Sequence, residues 1–309
     1  MEILFYDEVE DWQMSELNLA CFDHPYSREQ VEERIDKDDR VPDWGGELYA
    51  KEGEKLLGCV GVIYPKVRTK EGVRKAAGIR NVCTRPSESG KGVAKHLLER
   101  LHDIIEERGV RYSLLLTSAF LIAHNLYMRM GYRDIHKPTV GYKKVEDGSS
   151  RVRFEKEKNF DYVHSAYSES VDGLYGLVER EEDFGRAAEV RGVPDNDLLR
   201  IAYDENDERI GYIRFAEKRK HLVCDEIAVE KPADLSRIFE ALEGETDGRD
   251  IVVKFVNPNY RDFLENYGFR LFDDLWEVIM FKDLENDMEE SLDRLGVGDR
   301  FHVGIYEGY

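Results

Sequence analysis

Long apolar runs are missing from this chain. No stretch approaches the ~20 consecutive apolar residues of a membrane-spanning helix, so no membrane partner is expected. Cysteine is scarce: Cys21, Cys59, Cys83 and Cys224 are the only four, without CxxC spacing, which argues against a disulfide framework and against a zinc or other metal site. Cys59 and Cys83 lie in strand-like apolar runs and read as buried packing residues. The opening MEILFYDEVEDW has neither the basic patch nor the apolar core of a signal peptide, and a cytoplasmic protein is expected. Basic charge is in deficit, with 45 Lys plus Arg against 65 Asp plus Glu and a formal net charge of -20. Duplex binding relies on basic surface that displaces counterions, so nucleic acid is not an expected partner.

What is present is a foldable chain of 309 residues, 41% of them hydrophobic, long enough for about two domains. Its charge is unevenly spread. Residues 1–60 carry 17 acidic and 6 basic side chains, residues 61–150 carry 9 and 17, and residues 151–309 carry 39 and 22. A basic middle in an acidic chain points to an anion bound there.

Apolar periodicity predicts a short strand at 3–7 and a helix over 11–21. Ser27, with Gln30 three residues on, has the capping-box spacing that opens a second helix. Strands follow at 47–51, 55–65 and 77–83. A polar loop then leads into a helix with Val93, Leu97, Leu98, Leu101, Ile104 and Ile105 on one face, closed by Gly109. The apolar run 112–117 reads as a buried strand, followed by a short helix at 123–130 and strand-like residues at 139–145. The segment 146–150 reads as a linker.

The second half repeats the order: helical pattern at 165–179, a hairpin of 198–203 with 209–217, a strand at 221–229, a helix at 234–243, a strand at 251–255, then a short helix. Two places match closely. Val82-Cys83-Thr84-Arg85-Pro86 precedes a helix as Val229-Glu230-Lys231-Pro232 does, and Tyr127…Gly131-Tyr132 parallels Leu264…Gly268-Phe269. This is a degenerate internal repeat. It divides the chain into domains at 1–147 and 151–285, with 286–309 adding a helix and a final strand at 301–306.

The most informative loop is Ser89-Gly90-Lys91-Gly92-Val93-Ala94. Glycines let backbone N–H groups approach a ligand, and a helix start leaves N–H groups unpaired at the positive end of the helix dipole, which suits phosphate. It is not a Walker A loop, which needs G-x-x-x-x-G-K-[ST].

Through 82–94 and 123–132 the sequence resembles the GCN5-related N-acetyltransferase (GNAT) superfamily. The resemblance implies an α/β (α+β) protein of two tandem GNAT folds, each a mixed twisted sheet flanked by helices. It also implies acetyl-CoA as cosubstrate. Gly92 and Ala94 match the last two positions of the family's [Arg/Gln]-x-x-Gly-x-[Gly/Ala] phosphate pattern, and Ser89 replaces the usual Arg or Gln. Ser89, Gly90, Lys91, Gly92, Val93 and Ala94 would hold the phosphates, and Val82, Cys83 and Thr84 would run beside the pantetheine arm. Tyr127 stands where the superfamily often places the acid that protonates the leaving thiolate. Phe120 replaces the Asn that often precedes it by seven residues. Many relatives carry a Glu base on the strand before the loop; here that strand has Arg80 and Asn81. Asp23, His24 and Tyr26 fall in the loop that often borders the acceptor site, and either His24 or water leading to a distant carboxylate is the candidate base.

The second half has no G-K-G, places Asp234 where phosphate would lie, and has Leu264 at the Tyr127 position; it reads as a structural or substrate-shaping repeat. The expected reaction is acetyl transfer to a primary amine by direct attack, with a small-molecule or peptide acceptor that the acidic flanks suggest is cationic. Alternatives are a non-catalytic acyl-CoA sensor, an interaction scaffold, and a tandem transferase acting on an amino sugar or amino thiol like mycothiol synthase, whose cofactor loop lies in the other half.

Overall fold

The computed structural model describes residues 1–145, 152–157, 159–180, 198–218, 220–285 and 287–304. The expected linker at 146–150 and the end of the expected strand at 301–306 lie outside them. Within that strand, Phe301 forms a single parallel bridge with Tyr175.

In the first half, strands β1 (Glu2–Phe5), β2 (Glu47–Glu52), β3 (Lys55–Ile63), β4 (Lys66–Thr69), β5 (Gly72–Thr84), β6 (Tyr112–Ser118) and β7 (Arg133–His136) alternate with helices α1 (Asp11–Phe22), α2 (Arg28–Lys37), α3 (Val93–Glu107) and α4 (Ile122–Arg129). The second half holds β8 (Thr139–Lys143), β9 (Arg153–Glu155), α5 (Phe160–Ser170), β10 (Leu199–Tyr203), β11 (Arg209–Glu217), β12 (His221–Val229), α6 (Asp234–Gly244), β13 (Asp250–Val253), α7 (Arg261–Asn266), β14 (Arg270–Asp273), β15 (Glu277–Asp283) and α8 (Met288–Leu295). The expected helix at 165–179 instead ends at Ser170, and Gly173 and Gly176, both at positive φ, turn the chain away from helix.

Two mixed sheets result. The first runs β1-β2-β3-β5-β6-β15-β7, with β4 paired to β5; the second runs β14-β8-β13-β12-β11-β10-β9. Read in matching order, the two sheets have the same plan, as tandem GNAT folds require. In each, however, the strand beside the last comes from across the expected domain boundary: β15 completes the first sheet, and β8, which precedes residue 147, completes the second. The compact units therefore do not follow the linear boundaries at 147, 151 and 285. Among the described residues, one unit takes Met1–Ile135 with Val278–Arg294, and the other His136–Glu277 with 295–304.

Side chains explain why the exchanged strands stay where they are. Val278 and Met280 of β15 enter the core formed by Leu97, Leu98 and Leu101 of α3, and Arg111 grips Asp283 through two bonds of 2.9 Å. In the second unit, the Tyr142 hydroxyl of β8 donates to Asp250 at 2.7 Å, and Lys143 pairs with Glu243. All six predicted apolar residues of α3 are buried, each contributing roughly 1.5–3 kcal/mol relative to exposure. The Ser27–Gln30 capping box forms as expected, with Gln30 accepting from the Ser27 N–H at 2.9 Å.

Candidate functional site

The site in the first unit begins with a break in strand pairing. β5 pairs in parallel with β6 only at Ala76–Tyr112, Ala77–Ser113 and Gly78–Leu114. β5 runs on to Thr84 and β6 to Ser118 without further pairing. The cause is visible on the other edge of β5. Its register with β3 slips between Cys59 and Gly61, and Asn81 adopts φ 50°. Such a bulge bends the strand and increases its twist. The 81–84 edge facing β6 thus offers backbone groups to a ligand instead of a ladder.

The loop after this edge leads straight to α3. Arg85 N–H donates to Leu57 C=O at 2.7 Å, Pro86–Glu88 makes a 3-10 turn, and Gly90 and Gly92 take φ 79° and 84°. Gly92 is the N-cap of α3. Its C=O accepts from His96 N–H at 3.1 Å. The N–H groups of Val93, Ala94 and Lys95 therefore precede the first helical bond and point out of the helix start. A side chain at Gly90 would meet nothing within 4 Å, so the loop is open. Glu88 holds Lys91 at 2.7 Å and Lys55 at 3.0 Å. These ammonium groups, Lys91 foremost, and the Ser87 hydroxyl hold the Glu88 carboxyl down at about 2. The predicted loop residues Ser89, Gly90, Lys91, Gly92, Val93 and Ala94 are thus together at one helix start, next to Val82, Cys83 and Thr84. Val82 backs onto the α3 core, while Cys83 is buried on the other face, its sulfur 3.4 Å from that of Cys59.

Tyr127 lies on α4, buried against the same core, and burial pushes its phenol up to about 12. Its hydroxyl forms no hydrogen bond among the described residues. The neighbouring Tyr132 stacks edge-on at 5.8 Å but is committed to structure: its hydroxyl meets His102 Nε2 at 2.8 Å and Ser113 Oγ at 2.6 Å. Of the two phenols, only that of Tyr127 has its proton uncommitted. Phe120 is exposed.

On the α1–α2 face of the sheet, the expected trio separates. Asp23 ends α1 in a left-handed conformation and is exposed. His24 is exposed too, bonded at 3.1 Å to the neighbouring Pro25 C=O. Tyr26 alone turns inward: its hydroxyl donates to Glu47 at 3.0 Å and accepts from Arg34 at 2.8 Å. Glu47 was not singled out in the sequence. It is 5% exposed and also accepts from the Tyr49 hydroxyl at 2.7 Å and the Asn81 amide at 3.3 Å. The signal was its place two residues before Tyr49, on the same face of β2.

The second unit preserves the frame without the loop. β12 and β13 pair from His221–Asp250 to Cys224–Val253 and then part, and β12 carries its own register slip at Arg214/Phe215. The parted strands border a cavity of about 410 Å³, its open mouth included, lined by Asp225, Glu226, Asn257, Tyr260, Leu264 and His302 among others. The Asn257 amide donates to Ser170 C=O at 2.9 Å, tying the strand end to the end of α5. Asp234 opens α6 and binds Arg237 at 3.0 Å.

Among the described residues there is no cluster of three His, Cys, Asp or Glu side chains able to hold a metal, and no helix long and apolar enough to cross a membrane. Residues 7–135 match the family model of an acetyltransferase (GNAT) domain. No curated protein matches the sequence. Three solved structures share the fold across 92% of this chain. A GCN5-related N-acetyltransferase from Anabaena variabilis ATCC 29413 has 13% identity and TM-score 0.66, with 73% of its own chain covered. A probable N-acyltransferase from Enterococcus faecalis V583 has 14% identity and TM-score 0.63, with 72% covered. A GCN5-related N-acetyltransferase from Kribbella flavida has 14% identity and TM-score 0.62, with 72% covered. The open helix start and the parted strands lie within residues 7–135, which carry an acetyltransferase (GNAT) domain, and the fold of the solved N-acetyltransferases extends over most of the chain.

Proposed function

We propose that the first unit transfers acetyl from acetyl-CoA to a primary amine by direct attack. The observation that carries this reading is the continuity of three features: an unladdered strand edge at 81–84, a glycine loop opening onto the start of α3, and a buried phenol with its proton uncommitted. The α3 N-terminus suits the CoA phosphates, and Lys91 and Lys55, now held by Glu88, supply cations for a polyanion to engage.

In the step itself, the amine nitrogen attacks the thioester carbonyl and a C–N bond forms. Backbone N–H groups of the open edge stabilise the oxyanion. As the C–S bond breaks, Tyr127 donates its proton to sulfur, and the proton shed by nitrogen returns to Tyr127 through water. Glu47 accepts hydrogen bonds from Tyr26, Tyr49 and Asn81 and positions all three beside the open edge. The acidic flanks alone would favour a cationic amine. The test is thiol release from acetyl-CoA across a broad panel of primary amines. Saturable release that depends on one amine class supports the reading, and acetyl-CoA binding without release for any amine would reject it.

A further inference from the structure

Arg80 is the last β5 residue before the bulge, and its side chain lies on the α1–α2 face. Its stem crosses Gly61, its cross-strand partner: a Cβ there would come 3.1 Å from Arg80 Cγ. Glycine at position 61 leaves the space that the arginine occupies. Neighbouring arginines have partners. Arg34 bonds the Tyr26 hydroxyl and stands 3.9 Å from Glu47, Arg40 forks onto Asp38 at 3.0 and 3.1 Å, and Arg85 binds Glu16 at 3.1 Å. Arg80 has no carboxylate within 4 Å and no hydrogen bond among the described residues. Burial first, then the like charge of Arg34, pull its pKa down against the opposing carboxylate of Glu47, with Arg40 adding to the fall. A guanidinium stays charged even so. Glu47 acts on this half-buried cation only from a distance, so its N–H donors are left for an anion to engage.

The place of this gap defines the anion. Asn81, next in sequence, starts the open edge where an acetyl thioester would lie, and Tyr26 and Glu47 border the same face. We propose that the acceptor amine also carries an anionic group, a carboxylate or a phosphate, and that Arg80 binds it while the amine faces the parted strands. The inference rests on the acetyltransferase reading above and names its acceptor class: amino acids and amino-phosphates rather than polycations. A guanidinium binds either group through paired N–H donors.

The experiment compares kcat/KM for acetyl-CoA-dependent thiol release with β-alanine, 4-aminobutyrate and O-phosphoethanolamine against propylamine and ethanolamine. The wild type should prefer an anionic amine by roughly 10- to 100-fold, the range of a charge-assisted contact. The carboxylate and phosphate arms tell the two anions apart. Arg80→Gln should bring the ratio toward one, and Arg80→Lys should restore part of it. Gly61→Ala, which pushes on the Arg80 stem, should lower the ratio with the guanidinium still present. A wild-type ratio near one, or a ratio unchanged in Arg80→Gln, overturns the proposal. If no amine turns over, the acetyltransferase reading fails separately. The anion site is then judged by thermal shift with CoA present: the anionic amines should stabilise the wild type but not Arg80→Gln, and equal shifts would reject it.

Discussion

The two units carry one frame and two sets of side chains. Both have a strand that slips register, parts from its parallel neighbour and leads to a helix. Both end their short helix alike: Gly131 and Gly268 sit at φ 89° and 98°, and Tyr132 and Phe269 donate back five residues to Tyr127 and Leu264 at 3.1 and 2.9 Å. The differences fall on chemistry. The cross-strand pair Gly61–Arg80 in the first unit is Arg214–Glu226 in the second. There Glu226 is saturated by Arg180 and by the Tyr212 hydroxyl at 2.6 Å, and Arg214 pairs with Asp225. The first unit leaves a cation waiting; the second closes its charges on one another. The backbone plan is thus shared by two units whose side chains at this position differ.

That contrast can be broken experimentally. The largest effect should come from Gly92→Glu. A side chain at φ 84° is strained, and a carboxylate at the start of α3 repels phosphate. Acetyl-CoA binding should fall below detection by calorimetry; unchanged affinity would remove the loop from the site and erase its difference from 230–234. Next, Arg180→Leu should destabilise the protein by about 3–5 kcal/mol in urea unfolding, because it strands buried Glu226. A loss under about 1 kcal/mol would mean that the second unit's charges are not closed. Tyr127→Phe should slow turnover by about 10²-fold with little change in acetyl-CoA affinity. Leu264→Tyr, the reciprocal change, should confer no activity on the second unit, and wild-type turnover in Tyr127→Phe would return that phenol to packing.

The smallest effect concerns acid. Burial lowers His102 of the first unit to about 3, and His136 and His302 of the second to about 4 and about 3. Unfolded imidazoles take up a proton near 6.5. From that pH down to the folded values, the unfolded state binds more protons and stability falls as pH falls, by up to about 1.4 kcal/mol per pH unit for each group. Urea midpoints between pH 7 and pH 4 should decline, and His302→Gln should flatten the decline more than it shifts the pH 7 midpoint. An equal slope in that variant would show that His302 is not a buried neutral group.

The two-sheet plan, the loop before α3 and the buried place of Tyr127 were legible because each leaves a local pattern: a glycine pair before an amphipathic run, or a Tyr four residues before Gly-Tyr. The strand exchange left none. Residues 139–145 read as a strand but 277–283 were not singled out, and pairing partners are a tertiary choice that periodicity does not encode. Glu47 escaped because its role depends on Tyr26 and Asn81, 21 and 34 residues away. Arg80 was noted only as the absence of a glutamate. Its meaning needed Gly61 across the ladder, and a cross-strand neighbour is invisible without the register.

The exchange also bears on how the chain is made. The first sheet needs Glu277–Asp283, so a nascent chain on the ribosome presents β6 and β7 with their shared partner still unsynthesised. Domains usually fold in order as they emerge. Here the first unit must wait until residue 283 is made, and its apolar β6 edge is what a chaperone would have to guard meanwhile.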